Sequence, residues 1–580
     1  MSARTVSEAL AVLNATRAAP GRVARYVLVC GSTPLHLGTF VAAELQRRLP
    51  GDRVELATAP SGDLLSGLER CGRAEAEGAA VVLEWADLDR RLGLREAAGW
   101  RPADLADMVT QAAWARDAIL AGVGRLAARM PVAVAAPTLP LPPASFTPGW
   151  VASELATDLR RLVAELAAGL VRLPGVRLVD AQRLDGLSPP GTRLDVRSYL
   201  TLGFPYRRAH AAALAELLVR LLAPPAPKKA LITDLDDTLW RGVLGESTGV
   251  SWDLDQKSHG HALYQQLLAA LAEAGVLIGV VCKADPETVE AGLAAPGLLV
   301  PRERLFPVEA HWEPKSVSVE RILRAWNLGA DGVVFVDDSA AELAEVAAVH
   351  PDVACLRFPT GDDGAVYAVL EELRDLFGKP ILSEEDALRA RTVGGVPPDL
   401  PPVTSGAERQ DAFLARAEQE LVVLPAPVVG DPRPLELVNK TNQFNLNGRR
   451  YTEGEWRALL GREGAFAVLL AYRDRYGPLG KVSVLAGRLA GRRLRVDTWV
   501  LSCRAFSRRI EWATLDFLFD RLKILDIAFA YAPTPKNHLV ADFLRSLADE
   551  EPGTEACVTA ERFAARKPRL FVRCHTGESA

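Results

Sequence analysis

Short, solidly apolar runs that stop at a polar or glycine turn recur along this chain. They read YVLVC before Gly31, AAVVLEW before Ala86, ALIT before Asp234, VLIGVVC before Lys283 and GVVFV before Asp337. A strand with one wet face alternates apolar and polar residues. An unbroken run belongs to a strand covered on both faces, as in a parallel sheet flanked by helices. Ala/Leu-rich stretches of helical character separate the runs. The pattern calls for α/β layers and puts the residue that ends each run at the carboxyl edge of a sheet, where open α/β sheets bind ligands.

At about 150 residues per domain, 580 residues are too many for one hydrophobic core. Residues 1–223 read as a first α/β domain. PPAPKK at 224–229 has neither helix nor strand character and marks a boundary. Over 230–378 the runs ALITDL, VLIGVVC, GVVFVDD and VACLRF alternate with helices as a second doubly wound parallel sheet. Residues 379–406, Pro/Gly-rich over 393–406, read as a linker. Residues 407–580 read as α+β: FAVLLAYRD, VSVLAGRLA, LRVDTWVLSC and DIAFAYAP surround a helix expected over 510–524.

Hydrophobic residues at 49% and charged residues at 24% are ordinary globular usage, and the net charge of −5 excludes a strongly basic nucleic-acid binder. The charge is uneven: residues 401–580 hold 27 Lys and Arg against 22 Asp and Glu, which is +5 and leaves −10 on the first 400. Seven scattered cysteines do not read as a disulfide framework, so reduced thiols and a cytoplasmic location are expected. The start MSARTVSEALAVLNATRAAP lacks the apolar core of a signal peptide. The uncharged run 130–153 carries six prolines, so it reads as a strand entering a loop, and no membrane partner is expected.

The second sheet gathers the chemistry. Asp234, Asp236 and Thr238 stand in LITDLDDTLW, Cys282 and Lys283 at the end of VLIGVVC, Lys315 in HWEPKS, and Asp337 and Asp338 at the end of GVVFVDD. A phosphate ester repels nucleophiles through its own oxygens, so carboxylates that hold a divalent cation and a lysine that balances the remaining charge suit phosphoryl transfer. This order and spacing resemble the haloacid dehalogenase superfamily of aspartate-based phosphotransferases. The resemblance implies Asp234 as the nucleophile that forms an aspartyl phosphate and Asp236 as general acid and base. It implies Lys315 on the phosphoryl oxygens, with Thr238 and Lys283 beside it. Mg²⁺ would rest on Asp234, the backbone carbonyl of Asp236 and the Asp337/Asp338 pair. Only 48 residues separate Asp234 from Cys282 and 33 separate Cys282 from Lys315, which leaves no room for a large cap domain, so an open site is expected.

Longer words narrow the resemblance. LDDTLWRGVLGE, HWEPKSVSVERI, VVFVDDSAAELAEV, LVNKTNQFNLNGRRYTEGE, VDTWVLSCRAFSRRIE, VVLEWADLDRRLG and PTLPLPP resemble the FkbH-like family, subclass IIIC of that superfamily, over nearly the whole chain. The resemblance implies an enzyme of polyketide-type pathways that takes 1,3-bisphosphoglycerate, captures the acyl group as a thioester and removes the remaining phosphate. Glyceryl is then delivered to the phosphopantetheine arm of an acyl carrier protein, an acidic partner that the basic last segment would meet.

The chain departs from that pattern in three places. Where the family reads V-C-S-K-N, this chain reads Val281-Cys282-Lys283-Ala284. Cys282 is then the acyl-accepting thiol moved by one position, a weak substitute for a hydroxyl, or a buried strand-end cysteine; a reactive thiol needs a lowered pKa, for which Lys283 is one source. The first domain resembles SGNH hydrolases at Gly31-Ser32, but Phe204 stands where the catalytic His belongs, His210 falls in a later slot, and Glu84-Trp85-Ala86-Asp87 replaces Gly-x-Asn-Asp. A degenerate docking or structural domain is expected, with Ser32 and His36 the remnant of hydrolysis. The last domain resembles the GNAT acyltransferase fold. Its turn carries Ser507 in place of glycine, leaving Arg504, Arg508 and Arg509 as phosphate partners, with Cys503 and Asn537 at acyl-arm positions. Asn439, Lys440, Thr441 and Asn442 either line the same cleft or satisfy turn backbone. Two other readings stay open: a phosphatase acting on a small phosphoester only, and a non-catalytic partner protein.

Overall fold

The computed structural model describes residues 5–16, 22–59, 62–72, 74–96, 100–242, 258–295, 297–379, 411, 414–426, 431–475, 477–502, 505–506, 508–547 and 555–577. They form two compact units, Met1–Pro225 with Tyr451–Leu459, and Ala226–Arg450 with Leu460–Ala580.

The first unit is built on five parallel strands, β1 (Arg22–Cys30), β2 (Asp52–Thr58), β3 (Gly78–Val82), β4 (Val132–Ala135) and β5 (Val176–Leu178), in the order β2-β1-β3-β4-β5. The unbroken apolar runs are explained by two cores. β1 sends Val27 and Val29 into one, with Leu68, Ile119 and Leu166 from the helices Leu64–Cys71, Leu105–Ala127 and Glu154–Leu170. It sends Tyr26, Leu28 and Cys30 into the other, with Phe40 and Leu218 from Leu35–Arg48 and Arg208–Leu222. Each such side chain, buried, stabilises by roughly 1.5–3 kcal/mol. The proline-rich run gives β4 and then a loop, as expected.

Residues 451–459 lie far along the chain yet belong to this unit. TEGE is a capping box: the Glu455 N–H donates to Thr452 Oγ1 at 3.2 Å, and the Thr452 N–H to Glu455 Oε2 at 2.6 Å. The helix Glu453–Leu460 that follows pairs Glu455 with Arg22 at 2.8 Å and Glu453 with Arg177. A Cβ at Gly454 would lie 2.0 Å from the Glu77 carbonyl, so this approach requires glycine.

The second unit holds two sheets. The first is parallel, β6 (Ala230–Thr233), β7 (Leu277–Cys282), β8 (Leu305–Ala310), β9 (Val333–Asp337) and β10 (Ala354–Arg357), in the order β10-β9-β6-β7-β8. Its faces are covered by His259–Glu273 and Asp363–Phe377 on one side, and by Lys315–Trp326 and Ala340–Val349 on the other. The other sheet is mixed, β11 (Glu420–Pro425), β12 (Ala465–Asp474), β13 (Gly477–Ala490), β14 (Arg493–Leu501), β15 (Asp526–Phe529), β16 (Ala556–Thr559) and β17 (Arg573–Thr576), in the order β16-β15-β14-β13-β12-β11-β17. The helix expected over 510–524 is α-helical only to Asp516 and continues as a π turn, Phe517–Arg521.

Residues 224–229 have neither helix nor strand, and the Lys228 and Lys229 N–H groups donate to the Leu376 and Gly332 carbonyls at 2.8 and 2.7 Å. Of the 379–406 linker, residues 380–406 lie outside the described residues. Among the described residues no helix is long and apolar enough to cross a membrane.

Candidate active site

β6 is the middle strand of the second parallel sheet, and Asp234 is the first residue past its end, its N–H donating to the Val336 carbonyl at 2.9 Å. Asp337 ends the neighbouring strand β9. Lys315 opens the helix Lys315–Trp326, and its Nζ donates to Asp234 Oδ1 at 2.7 Å and to Asp337 Oδ2 at 2.6 Å. The other Asp337 oxygen accepts from the Ser339 N–H at 2.8 Å, so this wholly buried carboxylate is held at both ends. Asp234, Asp337 and Asp338 each offer an oxygen within 4.8 Å of the others.

Burial pushes the Asp234 carboxyl up to about 7, against the pull of Lys315, and the like charge of Asp337 adds to the rise. Burial also raises Asp338, with Asp337 and Asp237 adding to it. Burial alone would lower the Lys315 ammonium, but the two carboxylates outweigh it and hold it above its ordinary value. Three carboxylates around one ammonium leave an anionic excess in a poorly solvated corner, an arrangement suited to a hard divalent cation.

The Asp236 carboxylate is not among the three clustered carboxylates; its Oδ1 accepts from the Trp240 indole N–H at 2.9 Å, which orients the carboxyl expected to act as acid and base. One sequence assignment changes here. Thr238 is fully buried and its Oγ1 accepts the Asp338 N–H at 3.0 Å, so it positions the β9 turn and does not face a phosphate.

Cys282 ends β7 and is buried; burial pushes its thiol up to about 12, Asp234 and Asp236 adding to the rise and Lys315 opposing it. Lys283 does not lower it, because its Nζ pairs with Glu342 at 2.7 Å at the surface. Of the three readings left open for Cys282, the one that draws on Lys283 for a lowered pKa is therefore not supported, and Lys283 is engaged with Glu342 in place of a phosphate. Among the described residues the 282–315 gap holds the helix Pro286–Leu293 and β8 and no inserted cap domain, while residues 243–257 lie outside the described residues.

The residues expected to bind phosphate in the last sheet are engaged internally. Arg508 is buried, donates from Nε to Asp474 at 3.1 Å and lies over the Tyr472 ring at 5.6 Å. Arg509 pairs with Asp411 at 2.7 Å and donates to the Arg569 carbonyl at 2.8 Å. Arg504 and Cys503 lie outside the described residues.

β14 and β15 pair only from Arg493 to Val496 and then diverge, and the gap is filled by the chain itself. The Leu446 N–H donates to Trp499 O at 2.9 Å, the Leu501 N–H to Phe444 O at 3.0 Å, and the Ala532 N–H to Leu446 O at 3.3 Å. Asn537, also buried, donates to Asn445 O at 3.0 Å and Ala532 O at 2.9 Å. Asn442 is shared between Asp331 and Arg450, and Asn439 lies in the last turn of the helix Arg433–Lys440 and has an interaction partner. Asn442 and Asn537 therefore hold backbone and neighbouring charges in place of an acyl arm.

In the first unit, His210 is fully buried, its ring nitrogens 3.0 Å from Ser188 Oγ and from Thr138 Oγ1, so it does not serve Ser32. The Thr138 hydroxyl and the Tyr206 hydroxyl donate to Glu84 Oε1 at 2.6 and 3.0 Å, and the Leu139 N–H donates to Oε2 at 3.1 Å. The His36 ring packs edge-on against Phe204. Sequence reasoning missed this closed web, whose members are spread from Glu84 to His210. It also missed Arg357, which ends the apolar run VACLR just as Asp234 follows ALIT.

No family model and no curated protein matches the chain. Among solved structures it is similar to the N-terminal part of the Bacteroides fragilis protein BF1531, which contains a phosphatase domain complexed with Mg. Identity is 18%, the TM-score 0.50, and the match covers 65% of this chain and 99% of that one. At that identity the likeness is one of fold. A second match, to a Pnkp1/Rnl/Hen1 complex at 12% identity, has a TM-score of 0.17 over 60% of this chain and 99% of that one and carries no argument.

Proposed function

We propose that the second unit is a magnesium-dependent phosphatase that works through an aspartyl phosphate. Its substrate in this reading is a small phosphorylated three-carbon acid, 1,3-bisphosphoglycerate or a related acyl phosphate, whose glyceryl unit passes to an acyl carrier protein. The observation that carries the phosphatase reading is the Lys315 ammonium bridging Asp234 and Asp337 with the Asp338 carboxylate beside them. The fold shared with a chain whose phosphatase domain is complexed with Mg supports the choice of metal. Held by Asp234 and Asp338 with Asp337 behind them, Mg²⁺ would supply the positive charge that offsets the carboxylate excess and screens the phosphoryl oxygens.

The residues then divide the work. An Asp234 oxygen attacks phosphorus and the bond from phosphorus to the leaving oxygen breaks, while Asp236, oriented by Trp240, gives that oxygen its proton. A water next attacks phosphorus, Asp236 takes its proton, and the bond to Asp234 breaks to free inorganic phosphate. Lys315 balances charge on the phosphoryl oxygens throughout. For acyl capture, the Cys282 sulfur attacks the acyl carbon, the bond from that carbon to the phosphate oxygen breaks, and the thioester passes to the phosphopantetheine thiol. The neutral thiol gives its proton to the departing phosphate oxygen as it attacks, since the negative charge of Asp234 and Asp236 opposes a free thiolate.

The test is incubation of the full chain with 1,3-bisphosphoglycerate, Mg²⁺ and a holo carrier protein. A glyceryl mass shift on the carrier supports the whole reading. Phosphate release without the shift reduces it to a phosphatase for a small phosphoester, and neither outcome leaves a non-catalytic partner. Loading unchanged in Cys282→Ser would overturn the role given to that thiol.

A further inference from the structure

Among the described residues, the carboxyl edge of the second sheet carries a charged residue tied to the carboxylate turn that these roles leave unused. Arg357 ends β10, the strand beside β9, and its partner in the parallel register is Asp337. Its Nε donates to the Asp338 carbonyl at 3.1 Å, which tethers an otherwise exposed guanidinium to the turn that carries the clustered carboxylates. The loop that follows is fixed as well: the Phe358 N–H donates to Asp337 O at 2.9 Å, and the Thr360 hydroxyl donates to the Asp237 carbonyl. These contacts border an open surface cleft of about 280 Å³ lined by Asp338, Arg357, Phe358, Pro359, Thr360 and Asp362. Asp338 is thus shared between the cleft and the carboxylate cluster.

Charge decides what such a cleft accepts. Its walls hold the Asp338 and Asp362 carboxylates, with Asp234 and Asp337 next door, so an anionic group entering it is repelled unless a cation meets it. Lys315 is engaged between Asp234 and Asp337, which leaves Arg357 as the cation among the described residues that line the cleft. With Nε tethered, its Nη1 and Nη2 keep the planar fork that matches a carboxylate or phosphate with two hydrogen bonds. We propose that Arg357 is a specificity-determining residue that grips a second anionic group of the substrate, carboxylate or phosphate, while the first phosphoryl group lies at Asp234. The proposal rests on the phosphatase reading and deepens it: the preferred substrate is a phosphoester with an anionic tail.

The test compares full-length wild type, Arg357→Ala and Arg357→Lys with Mg²⁺ on three substrates: 3-phosphoglycerate, propanediol bisphosphate and the neutral-tailed glycerol 3-phosphate. The readout is the ratio of kcat/KM for each anionic-tailed substrate to that for glycerol 3-phosphate, which cancels any general loss of active protein. Loss of a charge-assisted hydrogen-bond pair should lower the ratio about 10- to 100-fold in Arg357→Ala, mainly through KM, with partial recovery in Arg357→Lys. A fall confined to 3-phosphoglycerate assigns the tail as a carboxylate, and one confined to the bisphosphate assigns it as a phosphate. Ratios within twofold of wild type on both overturn the proposal. Absence of turnover on all three substrates together with absence of phosphate release from 1,3-bisphosphoglycerate defeats the phosphatase reading. The inference is then decided by calorimetric binding of the same three compounds, where retained discrimination by wild type that Arg357→Ala loses supports it and equal binding overturns it.

Discussion

The two parallel sheets have the same strand number and the same two-sided burial, yet their carboxyl edges differ in one respect. At the edge of the first, Glu84, Thr138, Tyr206, His210 and Ser188 satisfy one another in a closed web. At the edge of the second, Asp234 and Asp337 share one ammonium with Asp338 beside them, and the cluster remains short of positive charge. Polar residues at strand ends are therefore not a sign of chemistry in themselves. The informative quantity is whether the groups complete one another or leave a deficit that a ligand would fill.

That contrast can be broken by substitution. The largest effect should come from Asp234→Asn: phosphate release falls by roughly a thousandfold or more while the folded content seen by circular dichroism is kept. Next, Arg508→Ala should destabilise the second unit by about 3 kcal/mol in denaturant unfolding, because it leaves the fully buried Asp474 carboxylate without its cation.

Glu84→Gln should cost about 1–3 kcal/mol at pH 5, because an amide replaces an acceptor that serves backbone N–H groups, and it should not alter phosphate release. Its pH dependence is a further check. Burial raises Glu84 from 4.5 to about 7, so the folded chain keeps a proton that the unfolded chain releases across that window. Stability is thus present below about 4.5 and is lost as pH rises towards 7. Wild type should lose about 2 kcal/mol relative to Glu84→Gln between pH 5 and pH 7.5 in thermal or chemical unfolding. The smallest effect belongs to Lys283→Ala, whose surface pair with Glu342 should change stability by no more than about 1 kcal/mol and leave kcat within twofold.

The sequence made the second sheet's edge readable because each participant follows an apolar run or opens a helix after one: Asp234 after ALIT, Asp337 closing GVVFVD, Lys315 after HWEP. The role of Thr238 was less readable, since what separates a ligand from a support is where one hydroxyl points, here towards the Asp338 N–H. In the last sheet the arginines looked like phosphate partners because Asp474, the partner of Arg508, lies 34 residues away across the sheet. The NQFNLNG segment gives no strand signal either. Its residues gain their pairing only because β14 and β15 diverge around it.

In this reading a carboxylate oxygen of Asp234 forms the bond to phosphorus. The direct measurement is borohydride reduction of the full chain caught during turnover of 1,3-bisphosphoglycerate, followed by peptide mass spectrometry of the segment that contains Asp234. Reduction of that side chain to homoserine, dependent on Mg²⁺ and absent in Asp234→Asn, is the expected result. Steady phosphate release with an unreduced Asp234 peptide would contradict it.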